Sequence, residues 1–186
     1  AINLANVNDA PALQAGADDT AAEGTWFSHA LTLGDPDPDT HLITVDWGDG
    51  SAPSQYSTSA AVYNISHYFP DNGTYTVTVT ANDQAGQANS VETDSFEVVV
   101  SNVAPDLNLF GNATVEQSQP YTLTLGSVYD PGADTVTEYR IDWGDGSAVQ
   151  VVAAGDLPQN RQLNHSYATA GERTISVTLV DEDGTH

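Results

Sequence analysis

The sequence contains no cysteine and no lysine, and it has no apolar run long enough to span a membrane. Without cysteine no disulfide can hold its domains together, so a bound metal ion becomes a plausible staple. It also lacks a Gly-x-Ser-x-Gly motif, and its five histidines are scattered without a pair at metal-ligand spacing. These absences disfavour a zinc site and a nucleophilic active site, and we predict that the protein is not an enzyme.

Positive charge is nearly absent as well. The chain has three arginines against 26 acidic residues, which gives a formal net charge of −23. Such a surface repels nucleic acid and anionic lipid headgroups and attracts cations, so we predict neither a nucleic-acid partner nor membrane insertion. Two interpretations of the acidic residues remain open: they keep the protein solvated, or some of them bind divalent metal ions.

One hexapeptide occurs twice. Asp-Trp-Gly-Asp-Gly-Ser stands at residues 46–51 and again at residues 142–147. An alternating apolar run precedes each copy, so a β-strand is expected to deliver Trp47 or Trp143 to a buried face. The Gly-Asp-Gly that follows is typical of a sharp turn. The hexapeptide therefore indicates a repeated structural unit rather than a ligand site.

The repeat divides the chain into two domains. We predict residues 1–7 as the tail of a preceding unit or a linker, a first domain over 8–101 and a second over 102–186, each near the size of an immunoglobulin-like sandwich. No segment shows a sustained helical period, which indicates an all-β fold of two tandem antiparallel sandwiches. The second copy has no counterpart of residues 95–100, so we expect a fragment of a longer protein whose second domain lacks its last strand.

An acidic loop interrupts the strands of the first copy. Residues 34–40 read Gly-Asp-Pro-Asp-Pro-Asp-Thr, and the two prolines exclude a regular strand or helix. Asp35 and Asp37 thus lie in a loop with little conformational entropy left to lose. Calcium takes oxygen ligands from carboxylates, amides, backbone carbonyls and water, so the two carboxylates of this loop are candidate calcium ligands. The alternative is that these are ordinary turn aspartates.

The same series of motifs runs through both copies: an acidic loop, Trp-Gly-Asp-Gly-Ser, His-x-Tyr-x-x-x-Gly, an alternating strand and Asp-x-x-Gly. This series resembles the PKD domain family. The joints Asn-x-Ala-Pro, at residues 8–11 and 102–105, look like those of PKD-like and cadherin-like repeats in large bacterial surface and secreted proteins. The first copy departs from the pattern with Phe69, where the second keeps a tyrosine, Tyr167, whose hydroxyl would satisfy a backbone group. The second copy departs with Gly132 in place of the second loop carboxylate.

The resemblance implies seven-stranded sandwiches that act as spacers or interaction modules. Some PKD domains, notably in secreted bacterial collagenases, look like calcium binders whose ligands come from the joint, the acidic loop and the aspartate after the penultimate strand. The ligand set implied for the first copy is Asn8, Asp35, Asp37 and Asp83, and that for the second copy is Asn102, Asp130, Asp134 and Asp181. Calcium would there replace the repulsion between carboxylates by attraction and stiffen the joints.

Two functions fit the sequence. The first is a calcium-binding extracellular or cell-surface spacer in a bacterial adhesin-like protein, with the neighbouring repeats of the same chain as partners. The second is an accessory module that binds polysaccharide or protein for a secreted hydrolase. The second function requires an exposed aromatic patch, for which Tyr56 and Tyr63 are candidates, whereas Trp26 is expected in the core. We expect His67 and His165 to anchor turns.

Overall fold

The chain divides into two units, Ala1–Asn102 and Val103–His186, and the regular secondary structure described in both is almost wholly β-strand. The computed structural model describes residues 8–37, 40–83, 86 and 90–186. The predicted linker, residues 1–7, lies outside them. The helical segment described is the short 3₁₀ turn Ala154–Asp156. The predicted all-β fold class is confirmed.

The first unit is a sandwich of a three-stranded and a five-stranded sheet. Its strands are β1 (Ala12–Gln14), β2 (Asp19–Ala22), β3 (Trp26–Gly34), β4 (His41–Asp46), β5 (Ser54–Thr58), β6 (Val62–Tyr68), β7 (Gly73–Asn82) and β8 (Val91–Ser101). The strand orders are β1-β3-β6 and β2-β8-β7-β4-β5. Neighbours pair antiparallel apart from β2 and β8, which run parallel.

The described part of the first unit has eight strands rather than the implied seven, because its first strand is split. β1 pairs with β3 in one sheet, and β2 pairs with β8 in the other. Gly16 lies between them with φ +98°, a conformation that favours glycine. A Cβ there would also come within 2.7 Å of His29 Nε2. The chain therefore changes sheets at Gly16.

Trp47 lies at the centre of the first core. It is fully buried, as are Ile43 and Val45 on the same face of β4 and its extension. β7 pairs with β4 in the same sheet and turns alternate side chains, including those of Val77 and Val79, into the same core. The inward face predicted for the strand that leads to Trp47 is confirmed, and β7 shows the same period of two, which places every second side chain on one face.

The second unit repeats the architecture with fewer strands. They are β9 (Asp106–Phe110), β10 (Pro120–Tyr129), β11 (Glu138–Asp142), β12 (Gln150–Ala153), β13 (Gln162–Ser166) and β14 (Ser176–Val180). The sheets have the orders β13-β10-β9 and β12-β11-β14, and Trp143 and Ile141 lie in the core. β14 is thus an edge strand, whereas β7, its counterpart, is paired on both sides. Within residues 103–186, no strand pairs with the free side of β14 in the way that β8 pairs with β7.

A bulge shifts the register of β10. Its pairing with β9 is irregular between Leu125 and Val128. Arg161 donates from Nε to the Leu125 carbonyl at 3.0 Å and holds this irregular stretch. In the separate pairing of β10 with β13, Tyr121 lies opposite His165, in the place that Phe27 takes opposite His67. The sequence match of Leu-Thr-Leu-Gly at residues 31–34 with the same letters at residues 123–126 would put Gln119 in this place, so that match is two residues out of step with the structure.

Two expectations about aromatic residues were wrong. Trp26, expected in the core, is 76% exposed, because the alternation of β3 turns the neighbouring Phe27 inward. Tyr56 and Tyr63, the candidates for an exposed patch, are half-buried and pack against the core with ring centroids 5.6 Å apart. The exposed aromatic surface of the first unit therefore lies elsewhere than predicted.

Candidate metal centre

The repeated hexapeptide builds a trio of tryptophan, histidine and aspartate in each unit. In the first unit His67 Nε2 donates to Asp49 Oδ2 at 2.7 Å, and its ring stacks on Trp47 with centroids 4.4 Å apart. In the second unit His165 bonds Asp145 at 2.8 Å and stacks on Trp143 in the same way. The histidines therefore anchor the turn, as predicted, and join it to the core.

The two carboxylates of these trios are ionised more readily than usual. Burial raises the pKa of Asp49, but hydrogen bonds from Ser51 and His67 outweigh it and leave the pKa below its usual value. Hydrogen bonds from Ser147 and His165 hold the pKa of Asp145 well below its usual value. Each trio therefore stabilises its turn through a charged acceptor.

The first glycine of each hexapeptide is required by close packing. Gly48 has φ +75°, and a Cβ there would lie 2.5 Å from the Thr76 carbonyl oxygen. Gly144 has φ +72° and would clash in the same way with Thr174. The hexapeptide is thus fully used by the fold, which agrees with its interpretation as a structural motif.

The structure brings the predicted ligands of the first unit together as two hydrogen-bonded groups. Asn8 Nδ2 donates to Asp83 Oδ2 at 2.8 Å. Asp35 Oδ1 accepts the backbone N–H of Asp37 at 2.9 Å, and Asp35 Oδ2 lies 2.9 Å from His41 Nε2. Among the described residues, Asp35, Asp37 and Asp83 do not form a set of carboxylates within 4.8 Å of one another.

His41 is a partner that the sequence interpretation missed. Its side chain is 5% exposed and lies with Asp35 and Asp37 beside a hollow of about 460 Å³. A signal was available, because His41 begins the alternating run of inward residues that continues to Trp47. By donating to Asp35, His41 occupies an oxygen that a cation would otherwise use.

Three predicted ligands of the second unit converge. Asp130, Asp134 and Asp181 each offer one carboxylate oxygen, and these oxygens lie within 4.8 Å of one another. Asp130 and Asp134 come from the loop between β10 and β11, and Asp181 directly follows β14. Asn102, the last residue of the first unit, stays a prediction as a ligand. The cluster in the second unit, formed by these three aspartates, is called the carboxylate cluster below.

Asp181 is fixed in the carboxylate cluster by its own turn. Its Oδ1 accepts the backbone N–H groups of Asp183 and Gly184 and lies near His186 Nε2, each at 3.0 Å. Burial raises the pKa of Asp181, yet the hydrogen bonds from His186, Gly184 and Asp183 outweigh it and lower the pKa overall. Although the side chain is 0% exposed, the carboxylate is therefore held in its charged form.

Two buried oxygens of this cluster, one on Asp130 and one on Asp181, have no donor among the described residues. Asp130 Oδ1 accepts the Gly132 N–H at 3.1 Å, which holds the loop. Asp130 Oδ2 and Asp181 Oδ2 are buried and accept no hydrogen bond from the part of the chain that the structure describes. A buried carboxylate oxygen without a donor is costly unless a cation balances it. This donor set, all carboxylate oxygen, fits a hard divalent cation such as calcium.

Comparison with known proteins identifies the type of domain. Residues 8–99 match the family model of the PKD domain. The first unit is therefore PKD-like, and PKD domains are typically extracellular and non-catalytic modules. Among the described residues, no helix has both the length and the apolar character needed to cross a membrane.

Solved structures with similar folds include several modular proteins. The PKD domain of an M14-like peptidase from Thermoplasmatales archaeon SCGC AB-540-F20 is 24% identical, with 50% of this chain and 98% of that chain covered and a TM-score of 0.40. Fibronectin(III)-like modules of CbhA from Clostridium thermocellum are 17% identical, with 94% and 87% covered and a TM-score of 0.37. A two-domain fibronectin type-III segment of chicken tenascin is 11% identical, with 94% and 90% covered and a TM-score of 0.39.

Proposed function

We propose that the chain is a non-catalytic, calcium-binding spacer module of a bacterial adhesin-like surface protein. The observation that supports this most strongly is the carboxylate cluster, with its two buried oxygens that accept no hydrogen bond within the described residues. Asp130, Asp134 and Asp181 would bind the ion, and backbone oxygens and water would complete its shell. A hollow of about 590 Å³ beside Asp130 and Asp134 leaves room for that water.

Calcium at this cluster would link two parts of the second unit that are distant in sequence. The loop between β10 and β11 carries Asp130 and Asp134, while Asp181 ends β14, which the structure leaves at a sheet edge. Three carboxylates in contact repel one another without a cation, and bridging by one ion turns that repulsion into attraction. A ligand that binds the folded state alone stabilises it by about 2.7 kcal/mol at a hundredfold excess over Kd.

The first unit is proposed to bind calcium more weakly. Both oxygens of Asp35 already accept hydrogen bonds, one from the Asp37 N–H and one from His41. Asp83 accepts the side-chain amide of Asn8. Calcium would have to displace these donors before Asn8, Asp35, Asp37 and Asp83 could act as ligands, whereas the carboxylate cluster of the second unit has oxygens available.

Isothermal titration of the whole chain with calcium tests this proposal. The variant is Asp181→Asn, which keeps an Oδ1 acceptor for the turn but removes the charge. The matched control is Asp142→Asn in the same unit, because Asp142 Oδ1 makes a similar turn bond to the Gly144 N–H, at 2.8 Å, and lies outside the cluster. We expect calcium binding to weaken by about a hundredfold in Asp181→Asn, the loss of one charged ligand, and to stay unchanged in the control.

A titration with magnesium provides a second comparison. Magnesium requires a small, nearly ideal octahedral shell and loses its water reluctantly, so a cluster of protein carboxylates satisfies it less easily than it satisfies calcium. The proposal predicts tighter binding of calcium than of magnesium. Absence of any calcium heat in the wild-type chain, or equal binding by Asp181→Asn and wild type, would contradict it.

A further inference from the structure

Two aromatic side chains stand together on the outer surface of the first unit. Trp26 is 76% exposed and Tyr68 is 39% exposed. Their ring centroids are 6.0 Å apart, with an interplanar angle of 64°. Single exposed apolar side chains are common, but two large aromatics in mutual contact on a regular sheet are a typical feature of binding surfaces.

The strand pairing holds this aromatic pair in a fixed place. Trp26 at the start of β3 lies opposite Tyr68 at the end of β6. Both point away from the core because their neighbours, Phe27 and Phe69, are buried. Sites on paired strands position side chains more firmly than sites on loops. The pair is therefore a preformed feature of the sheet β1-β3-β6.

The exposed positions of this sheet carry no charge. In β1, β3 and β6 they hold only alanine, glycine, valine, glutamine, serine, threonine, asparagine, tryptophan and tyrosine. This is unexpected in a chain with a formal net charge of −23. From the aromatic pair to the pair Thr32 and Val62 at the other end, the neutral strip is about 20 Å long. We call it the neutral aromatic face.

We propose that the neutral aromatic face binds a neutral polysaccharide. The indole of Trp26 offers a flat apolar surface for the C–H face of a sugar ring. Tryptophan and tyrosine rings also carry a polar hydrogen-bonding group, which suits a ligand that has both apolar C–H faces and hydroxyl groups. Hydroxyl and amide groups along the strip, such as those of Ser28, Asn64 and Ser66, match the hydroxyl groups of the following sugars. The acidic remainder of the surface disfavours anionic polysaccharides.

A protein ligand fits this face less well. The centre of a protein interface is rich in apolar side chains that are fully desolvated. Here the aromatic pair is followed by small polar residues, and the next exposed large apolar side chain is Val62 at the far end of β6. The neutral aromatic face is a long, narrow and polar strip beside one pair of aromatic rings, and this shape fits an extended polysaccharide chain better than it fits a protein surface.

The second unit lacks this feature at the matching place. There the register of β10 and β13 puts Pro120 opposite Ser166, where the first unit has Trp26 opposite Tyr68. Aromatic stacking at this pair is therefore possible in the first unit and excluded in the second. The two units thus carry different surface features: the carboxylate cluster belongs to the second, and the neutral aromatic face belongs to the first.

Retention of the whole chain on insoluble cellulose and chitin, and its mobility in gels that contain a soluble neutral β-glucan, test the proposal. The variants are Trp26→Ala and Tyr68→Ala, and the matched control is Tyr129→Ala, which removes a 70% exposed tyrosine from the second unit. We expect binding to at least one of these neutral polysaccharides, a loss of about tenfold or more in Trp26→Ala, a smaller loss in Tyr68→Ala and no change in the control.

Fluorescence gives a readout at the site itself. Trp26 is exposed while Trp47 and Trp143 are buried, so a soluble quencher should reach Trp26 first, and bound polysaccharide should protect it. Equal melting temperatures of Trp26→Ala and wild type would show that lost binding does not arise from unfolding. Binding should persist in chelator and in Asp181→Asn, which separates this proposal from the one on calcium.

Three results would overturn the proposal. They are the absence of binding to all the neutral polysaccharides, equal retention of Trp26→Ala and wild type, and preferential binding to an acidic polysaccharide such as polygalacturonate. Binding to collagen through Trp26, without binding to any polysaccharide, would also overturn it and would assign the face to a protein ligand.

Discussion

At the scale of single residues, the most informative arrangement is the trio of tryptophan, histidine and aspartate. In both units the histidine ring lies flat on the buried indole and donates to the second aspartate of the hexapeptide. The sequence predicted the buried indole and the turn-anchoring histidine separately. It did not predict that one histidine joins both, because the contact connects residues that are 18 positions apart in the first unit.

Acid sensitivity follows from these trios. The pKa values of Asp49 and Asp145 lie below their usual value in the folded chain, so their ionised forms favour folding. This stabilisation is complete above about pH 4, the pKa in the unfolded chain, and is lost as the pH falls through the lower pKa of the folded state. We expect the melting temperature of the wild-type chain to decrease between about pH 4 and pH 2.

The substitution Asp145→Asn tests whether this trio causes the acid sensitivity of the second unit. The asparagine keeps an acceptor but cannot titrate, so the transition of the second unit should be lower at neutral pH and should depend less on acid. Asp142→Asn, at the exposed aspartate of the same hexapeptide, is the control and should retain the wild-type dependence. Equal pH profiles for wild type and Asp145→Asn, measured by calorimetry, would show that the trio does not carry the effect.

At the scale of elements, the alternation of β4 was sufficient to predict that Ile43, Val45 and Trp47 share the buried face. The same reasoning failed for β3, because Trp26 and Phe27 are adjacent aromatic residues and the sequence does not show which of the two side chains faces the core. The split of the first strand also escaped prediction, because it depends on the contact of Gly16 with His29, which only the folded sheet provides. Convergence of the carboxylate cluster was implied by the family resemblance, whereas the competing donor His41 was not foreseen.

The edge position of β14 has a measurable consequence. β7 is hydrogen-bonded on both sides, by β4 and β8. Among the described residues, β14 pairs along its length with β11 alone, and Thr185 and His186 return beside one end of it. A backbone amide that has no strand partner exchanges its hydrogen with solvent after a smaller local opening of the structure than a paired amide requires. We expect the outward-facing amides of β14 to exchange hydrogen for deuterium much faster than those of β7.

Mass spectrometry of peptides from each strand measures this exchange. Amides of β14 that bond to β11 serve as internal controls, since they should stay protected in the same unit. Equal protection across β7 and β14 would mean that another segment covers the edge of β14.

At the scale of the whole molecule, the chain combines two related sandwiches with different surface chemistry. The fold class could be predicted from the repeat, the periodicity and the motifs, since each of these is local. The difference in surface chemistry between the two units could not be predicted, because it depends on which side chains meet across strands and at strand ends. Trp26 and Tyr68 are distant in sequence, as are Asp130 and Asp181, and both pairings are set by strand register and strand ends.

Calorimetry in calcium and in chelator is the most direct test of the proposed calcium-binding module. We expect calcium in a hundredfold excess over Kd to raise the melting temperature of the second unit on the order of 10 °C and to raise that of the first unit less. Asp181→Asn should abolish the larger shift, which also identifies that transition as the second unit's, while Asp142→Asn should retain it. Identical melting curves in calcium and in chelator for the wild-type chain would contradict the account.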